Sequence, residues 1–497
     1  MRGDQASRLE EKNAMIHVGF IGCGRIADLH VMAYRDYPEA RLYAICDPDP
    51  ETLARRKAEW GPEKAYADYR ALLDDPQVDA IEILCPYDQH EPVFLAAVQA
   101  GKHVACQKPM TTTLASADRM VAASKQTEKV TKTTEIYLQY PPIALAKRLS
   151  DEGAIGEPMG LRINCISSPK GGWNVPARTY EQQVRIAALG LGLETFDHGH
   201  HEWATAWHLL GDVERVSAWI DTLNGIVDCP AMVMWKGRNN KRYGVCDFLF
   251  CPDLEIPSKY YSNDEMYQLI GSKGLILVNR GTGDLPDRPP VSLYDGAKWT
   301  HFDDVAGDWA EGFIGAARNF IAAILGREQP LLTMEQGREV LRFAMAVTLS
   351  ARKRREVYLD ELDHPVPWWH AWWRRRRERR DCVVRSQNRG WRLFGDYGKY
   401  APQARELTMR LPERFDATAV GEWECVIALT LTGESGMSDA QFGLTVQEGR
   451  LEVMADALPE HPDLSLTLPA GVWAAILLGK NASRRLSCRG WSSTAAR

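Results

Sequence analysis

The sequence predicts an α/β chain in three parts: a doubly wound parallel sheet, an α+β domain with a large, open, mostly antiparallel sheet, and a small α+β extension. Three observations carry this. Up to residue 137, short apolar runs alternate with helix-length amphipathic stretches, as parallel strands and crossover helices do. From 159 to 278, strand-like runs follow one another with few helices between. Beyond about residue 400, short strands and helices return in a different style. A chain of 497 residues is too long for one core. The divisions are a polar tail (1–14), a first domain (15–137), a second (138–362), a Trp/Arg-rich linker (363–398) and a last module (399–497).

In the first domain an apolar run, His17 to Ile21, feeds Gly22-Cys-Gly24-Arg25-Ile26-Ala27 and then a helical pattern to Tyr37. This is the dinucleotide fingerprint with Ala at the last glycine. Gly22 permits the tight turn, Gly24 lets backbone approach a pyrophosphate, and Ala27 lets helix and strand pack closely. A second run, Arg41 to Cys46, ends on Asp47, where a carboxylate takes ribose hydroxyls. Strand, turn, helix, strand and acid in that order predict a Rossmann domain. An acid at Asp47 favours NAD over NADP, although Arg55 and Arg56 follow. Helices are expected at 51–60, 68–73 and 91–100, and strands at 78–84, 102–106 and 133–137. Cys85-Pro86-Tyr-Asp-Gln-His90 and Gln107-Lys108-Pro109 then fall at strand C-termini, where open α/β sheets put their ligands.

These stretches resemble the Gfo/Idh/MocA family, the glucose-fructose and inositol dehydrogenase group. The matching segments are Ile21 to Ala27 with His30, Val78-Asp-Ala-Ile with Pro86 and His90, Ala100 to Val104, and Lys108-Pro109. The resemblance covers roughly residues 15–362, about seven tenths of the chain. It implies NAD contacts at Gly22, Gly24, Arg25, Ile26, Asp47, Pro86, His90, Gln107 and Lys108. It also implies that Lys108 reaches both the nicotinamide ribose and a substrate hydroxyl. The family has Glu where this chain has Gln107, so Lys108 is expected to lack a charge partner. A solvated lysine before a proline is the plain alternative.

In the second domain, Glu194-Thr-Phe-Asp197-His198-Gly-His200-His201-Glu202-Trp203 leads into an apolar helical pattern. Asp197 and His201 are four apart and share a face on a regular helix. Oxidising a secondary alcohol needs a base, a group that steadies the developing alkoxide, and a hydride acceptor. His201 suits the base, Asp197 orients it or binds a hydroxyl, and Lys108 polarises the oxygen. The resemblance assigns catalysis to these three. Glu194, Asp197 and His201 also fall at i, i+3, i+7, a face that could ligate a metal, with His198 and Glu202 joining. The alcohol chemistry already employs these residues, so no metal is assigned. Further substrate contacts are placed at Tyr140, Trp173 and Arg178, Trp173 stacking on a sugar face or simply packing in its loop.

The net charge of −6 gives no global case for nucleic acid, and no apolar run is long enough to span a bilayer. Eleven cysteines without paired spacing point to a reducing compartment, the cytoplasm. The run Trp368 to Arg380 mixes tryptophan with arginine and is read as an interdomain helix with a solvated basic face. Pro462-Asp-Leu-Ser-Leu-Thr-Leu468 and Trp473 to Lys480 resemble part of a sterol-carrier (SCP2-like) module, which implies an apolar cavity.

The expected function is NAD-dependent oxidation of a secondary hydroxyl of a sugar, polyol or glycoside, with glycoside 3-oxidation the specific reading. The alternatives are redox-assisted glycoside cleavage with recycled NAD, and a non-catalytic NAD-binding sensor or scaffold. The partners are a carbohydrate substrate and, through the outer face of the open sheet, further copies of the chain.

Overall fold

A computed structural model describes residues 15–173, 177–223, 227–285, 287–363, 398–415, 424–433 and 438–478. The tail before residue 15, the Trp/Arg run and the stretch after 478 lie outside the described residues. The chain divides into two compact units, 1–374 and 375–497.

The first unit begins with a six-stranded sheet in the order β3-β2-β1-β4-β5-β6, every neighbour parallel. Its strands are β1 (Ile16–Ile21), β2 (Ala40–Cys46), β3 (Lys64–Tyr66), β4 (Ala80–Ile83), β5 (His103–Gln107) and β6 (Thr131–Thr134). Helices α1 (Ala27–His30), α2 (Pro50–Trp60), α3 (Tyr69–Leu73), α4 (His90–Gln99) and α5 (Leu114–Ser124) connect them. Side-chain caps set three of the starts: Asp49 accepts from the Thr52 N–H at 3.1 Å, Asp68 from the Arg70 N–H at 2.9 Å and Thr113 from the Ser116 N–H at 3.2 Å. The first crossover is shorter than its periodicity suggests. The α-helix stops at His30 and tightens to a 3₁₀ turn over Val31–Tyr34. His30 and Tyr34 both reach inward to the buried Glu82 carboxylate, which draws the chain onto the sheet. β3 is too short to register as a periodic run.

The second sheet has nine strands in the order β14-β13-β12-β11-β7-β10-β9-β8-β15, antiparallel except for the β7–β10 pair. After α6 (Pro141–Asp151) come β7 (Pro158–Ser167), α7 (Ala177–Ala187), α8 (Gly199–Leu210), β8 (Val213–Ile220), β9 (Ala231–Gly237), β10 (Tyr243–Phe250), β11 (Asn263–Gly271) and β12 (Leu275–Val278). The hairpin β13 (Val291–Tyr294) and β14 (Trp299–Phe302), and α7, escape the sequence reading. Alternation along β7, β9 and β10 buries one face. Trp203 of α8 packs there with Trp235 and Phe248, and with Phe343 from α10 (Met334–Lys353), which follows α9 (Ala310–Ile324). The other face shows Met159, Trp219, Met232, Met234 and Leu249. β15 (Val357–Tyr358) closes the edge.

α9 comes late in the chain yet serves the first sheet. Its Ala317, Phe320 and Ile321 share a core with Val18, Phe20, Ala27 and Ala105. Lys132 of β6, fully buried, donates to the Asn319 side chain at 2.9 Å. The second unit has its own sheet, β18-β17-β16-β19, of β16 (Cys425–Thr432), β17 (Ala440–Gln447), β18 (Arg450–Ala455) and β19 (Leu464–Pro469). Trp473, on the helix Ala470–Leu477, packs on this sheet and donates to the Thr408 hydroxyl at 2.7 Å. Every cysteine among the described residues is free, and no helix among them is long and apolar enough to cross a membrane.

Gly22 is the backbone constraint on which the first sheet's edge depends. Its φ is +101°, and a Cβ there would lie 2.5 Å from the Cys85 nitrogen. Gly22→Ala is expected to cost about 2–4 kcal/mol by combined strain and overlap. Chemical denaturation of the two proteins checks this, and an unchanged midpoint would contradict it.

Candidate active site

The parallel register gathers the strand ends at one edge. Ile21 pairs with Cys46 and Ile83, and Ile83 with Cys106. That edge carries Gly22 to Ile26, Asp47, Pro86 and Gln107-Lys108. A Cβ on Gly24 would meet no protein atom within 4 Å, so the start of α1 has open room beside it. Asp47 is fixed by accepting the Cys23 N–H at 2.9 Å and the Asp49 N–H at 3.0 Å. Arg56 is buried. It pairs with Asp28 and Glu59 and donates to the Cys23 carbonyl at 3.2 Å, so it does not point toward the ribose position. The Arg25 guanidinium lies 4.6 Å over the Trp173 ring, linking the glycine turn to the second domain's loop. The half-buried Ile26 packs behind it.

Gln107 turns inward. Its Nε2 lies 2.8 Å from His30 Nε2, and its Oε1 accepts the Lys108 N–H at 2.7 Å. The expectation that Lys108 lacks a charge partner is corrected here, because Asp197 supplies one. Lys108 Nζ donates to the Asp197 carbonyl at 2.8 Å and lies 3.2 Å from its Oδ1. Gln183 of α7 donates to Oδ2 at 2.9 Å. Burial works to raise the Asp197 pKa. The Lys108 charge and the Gln183 bond outweigh it and hold the carboxyl below its usual range.

Asp197 reaches Lys108 because Leu193–His198 forms a π turn running into α8. The Asp228 carboxylate pins it, accepting the Glu194 N–H at 2.7 Å and the Thr195 N–H at 3.2 Å. The Trp203 indole donates to the Thr195 carbonyl at 2.9 Å. A π turn adds one residue to the ladder. The single face expected for Glu194, Asp197 and His201 is therefore replaced by separate directions. Asp197 goes to Lys108, His201 to Glu135 and Tyr137, and His198 and Glu202 to Glu265.

His201 is buried, with Nδ1 2.6 Å from Glu135 Oε1 and its ring stacked on Tyr137 at 4.2 Å. Burial first, then the Lys108 charge, holds its pKa well below the usual histidine range. The ring is therefore neutral near pH 7, and an Nδ1–H donated to Glu135 leaves Nε2 as its acceptor. Glu135 is pushed up to about 7 by burial, with the Tyr137 N–H and Lys108 offsetting part of the rise. His200 bonds the Phe196 carbonyl, and burial depresses its pKa to about 4. For His198 burial opposes charge, but the hydrogen bond to Glu265 and the surrounding carboxylates push it up to about 9.

Two expected contacts stand elsewhere. His90 is buried with Nδ1 3.0 Å from the Pro109 carbonyl and Nε2 2.9 Å from that of Cys85, so it clamps the two rim loops together. Tyr140 is fully buried and donates to the Gly307 carbonyl at 2.8 Å. Trp173 packs edge-on against Tyr260 and Tyr261 beneath Arg25, which covers the face expected to stack on a sugar. The Arg178 side chain lies outside the described residues. Glu135, Gln183 and Glu265 were not foreseen. The one signal for Glu135 is an acid at the end of a short strand.

Residues 16–134 match the family model described as the Gfo/Idh/MocA oxidoreductase family, NAD-binding Rossmann fold. The chain is 27% identical over 358 residues to myo-inositol 2-dehydrogenase of Thermotoga maritima, a match over 70% of this chain and 99% of the relative. It is 31% identical over 216 residues to levoglucosan dehydrogenase of Pseudarthrobacter phenanthrenivorans, covering 42% and 54%. Its fold superposes on the crystal structure of a probable dehydrogenase from Thermotoga maritima with TM-score 0.58 and 25% identity, over 70% of this chain and all of the other. The chain is thus similar to Gfo/Idh/MocA dehydrogenases over about its first 70%, and its residues 16–134 match the NAD-binding Rossmann fold of that family model.

The Glu135 shift has a definite sign. A carboxyl raised from 4.5 to about 7 in the folded state binds its proton more tightly there. Stability thus falls as pH rises between these values. Glu135→Gln removes this fall, so its melting temperature should gain on the wild type between about pH 5 and 8. Thermal scans across that range test it. A pH-independent difference would mean that Glu135 ionises normally.

Proposed function

We propose that the chain is an NAD-dependent oxidoreductase that takes a hydride from a secondary hydroxyl of a sugar, polyol or glycoside, with glycoside 3-oxidation as the specific reaction. The observation carrying this reading is the contact of Lys108 with Asp197, from two different domains, at the strand ends that bear the glycine turn. Inositol and levoglucosan dehydrogenases among the relatives support the substrate class, and levoglucosan, an internal acetal, favours a glycoside.

The residues fit NAD. The bared start of α1 with Gly22 and Gly24 suits a pyrophosphate, Arg25 and Ile26 border it, and Asp47 suits ribose hydroxyls. Pro86, Gln107 and Lys108 complete the rim. Arg56, committed to Asp28 and Glu59, leaves the 2′-phosphate of NADP without that partner. Bound NAD supplies the hydride acceptor. Lys108 polarises the reacting hydroxyl and steadies the developing alkoxide. Asp197 holds Lys108 and accepts a substrate hydroxyl. His201, neutral, takes the hydroxyl proton at Nε2 while Nδ1 stays on Glu135.

The apolar outer face of the second sheet supports a homo-oligomer, since Met159, Trp219, Met232, Met234 and Leu249 lie exposed on it. The SCP2-like stretch is read as a partial accessory module.

Two experiments test these readings. Absorbance near 340 nm follows NADH formation with a panel of inositols, hexoses and aryl glycosides, and mass spectrometry identifies the ketone. Lys108→Ala and His201→Ala are each expected to lower the rate by about 10²-fold or more. NAD binding without turnover on any member of the panel would move the assignment to a sensor. Light scattering of the full chain is expected to give a multiple of the protomer mass, reduced in Trp219→Arg with Met232→Glu. A monomeric wild type would remove the oligomer.

A further inference from the structure

Next to the Lys108–Asp197 pair, and unused by it, lies a second cluster. His198 and Glu202, one turn apart, face Glu265 of β11. His198 Nε2 is 2.8 Å from Glu265 Oε1 and 3.8 Å from Glu202 Oε1, and one donor atom from each residue lies within 4.8 Å of the others. Both carboxylates are fully buried. Each is held from behind. Glu202 Oε2 accepts the Tyr267 hydroxyl at 2.7 Å, and Glu265 Oε2 accepts the Thr282 N–H at 2.7 Å. The near oxygens are thereby turned toward one another.

Glu202 Oε1 receives no hydrogen bond of ordinary geometry; Tyr267 is spent on Oε2, and the other donor near the carboxylate is the weak thiol of Cys165. A bare acceptor in the interior is expensive, and two facing carboxylates repel. Glu265 Oε1 is met by His198 Nε2 and, at 3.2 Å, by the Thr282 hydroxyl, whereas His198 stands off from Glu202 Oε1. We propose that His198 Nε2, Glu202 Oε1 and Glu265 Oε1 bind one divalent cation. An imidazole nitrogen with two carboxylate oxygens suits Mn²⁺ or Zn²⁺. Bonds of about 2.0–2.2 Å put neighbouring ligand atoms about 3–4 Å apart, which the His198–Glu202 separation already meets. Three protein ligands leave the ion an open position. The sequence offered His198 and Glu202 only as additions to a Glu194, Asp197 and His201 face; Glu265, to which no spacing pointed, takes the place of that face. The ion would tie the end of the π turn to β11.

The test uses the full-length chain and does not depend on turnover. After chelation and desalting, Mn²⁺ is titrated in while the free-ion electron paramagnetic resonance signal is recorded, and Zn²⁺ uptake is measured by elemental analysis. One equivalent of either ion is expected to be taken up. The melting temperature should rise by about 5 °C at an ion concentration a hundredfold above Kd. Glu202→Gln preserves the acceptor for Tyr267 and removes the charge, so it should fold and lose both responses. His198→Gln provides a second removal of a ligand, and circular dichroism confirms that each variant is folded. Uptake of neither ion, or equal uptake and equal shifts in wild type and folded variants, would overturn the site.

Discussion

The Lys108–Asp197 ion pair is the contact on which the candidate site depends. One partner arrives at the end of a parallel strand, the other on a distorted helix entry from the second domain, and neither position has meaning alone. Both side chains are mostly but not wholly buried, at 16% and 18% exposure. Such a pair adds little net stability, since desolvation consumes most of the Coulombic gain. What it provides is placement: a cation fixed in register with the glycine turn, and a carboxylate kept ionised beside it.

Behind the pair, burial rather than residue type decides which histidine does what. The three histidines of the π turn and α8 share one short segment, yet one is neutral against Glu135, one is neutral against a backbone carbonyl, and one is charged among carboxylates. Their environments come from β6, β11 and the turn itself, elements far apart in sequence. The same unit of chain thus presents three rings held by three different kinds of partner, a division that a shared helical face would not allow.

Much of the first sheet was legible because its signals are local. Gly22, Gly24 and Asp47 each mark a backbone event at a strand end, and parallel strands in sequence order bring those ends together without further information. The open second sheet was legible as alternation, although the hairpin β13–β14 and helix α7 were missed among turn-rich sequence. Lys108 and Asp197 were legible as candidates on two domains, and the structure brings them into contact. What surrounds them was not. Glu135, Gln183 and Glu265 act through partners more than 10 residues away, which no spacing encodes. His90 and Tyr140 were misread because a polar residue near a rim looks the same in sequence whether it faces the cleft or bonds the backbone behind it. The π turn has no periodic signature at all; Asp228, 30 residues past its last member, is what holds it.

The placement of α9 also bears on how the chain is made. The first sheet is complete at residue 134, but Val18, Phe20 and Ala105 share their core with residues that begin at 310. At a synthesis rate of about 5–20 residues per second, roughly ten to forty seconds separate the two. During that interval the nascent sheet carries an uncovered apolar flank and the buried amine of Lys132 has no Asn319 to receive it. The nucleotide-type domain therefore reaches its final form only after most of the second domain has emerged, so the two mature together.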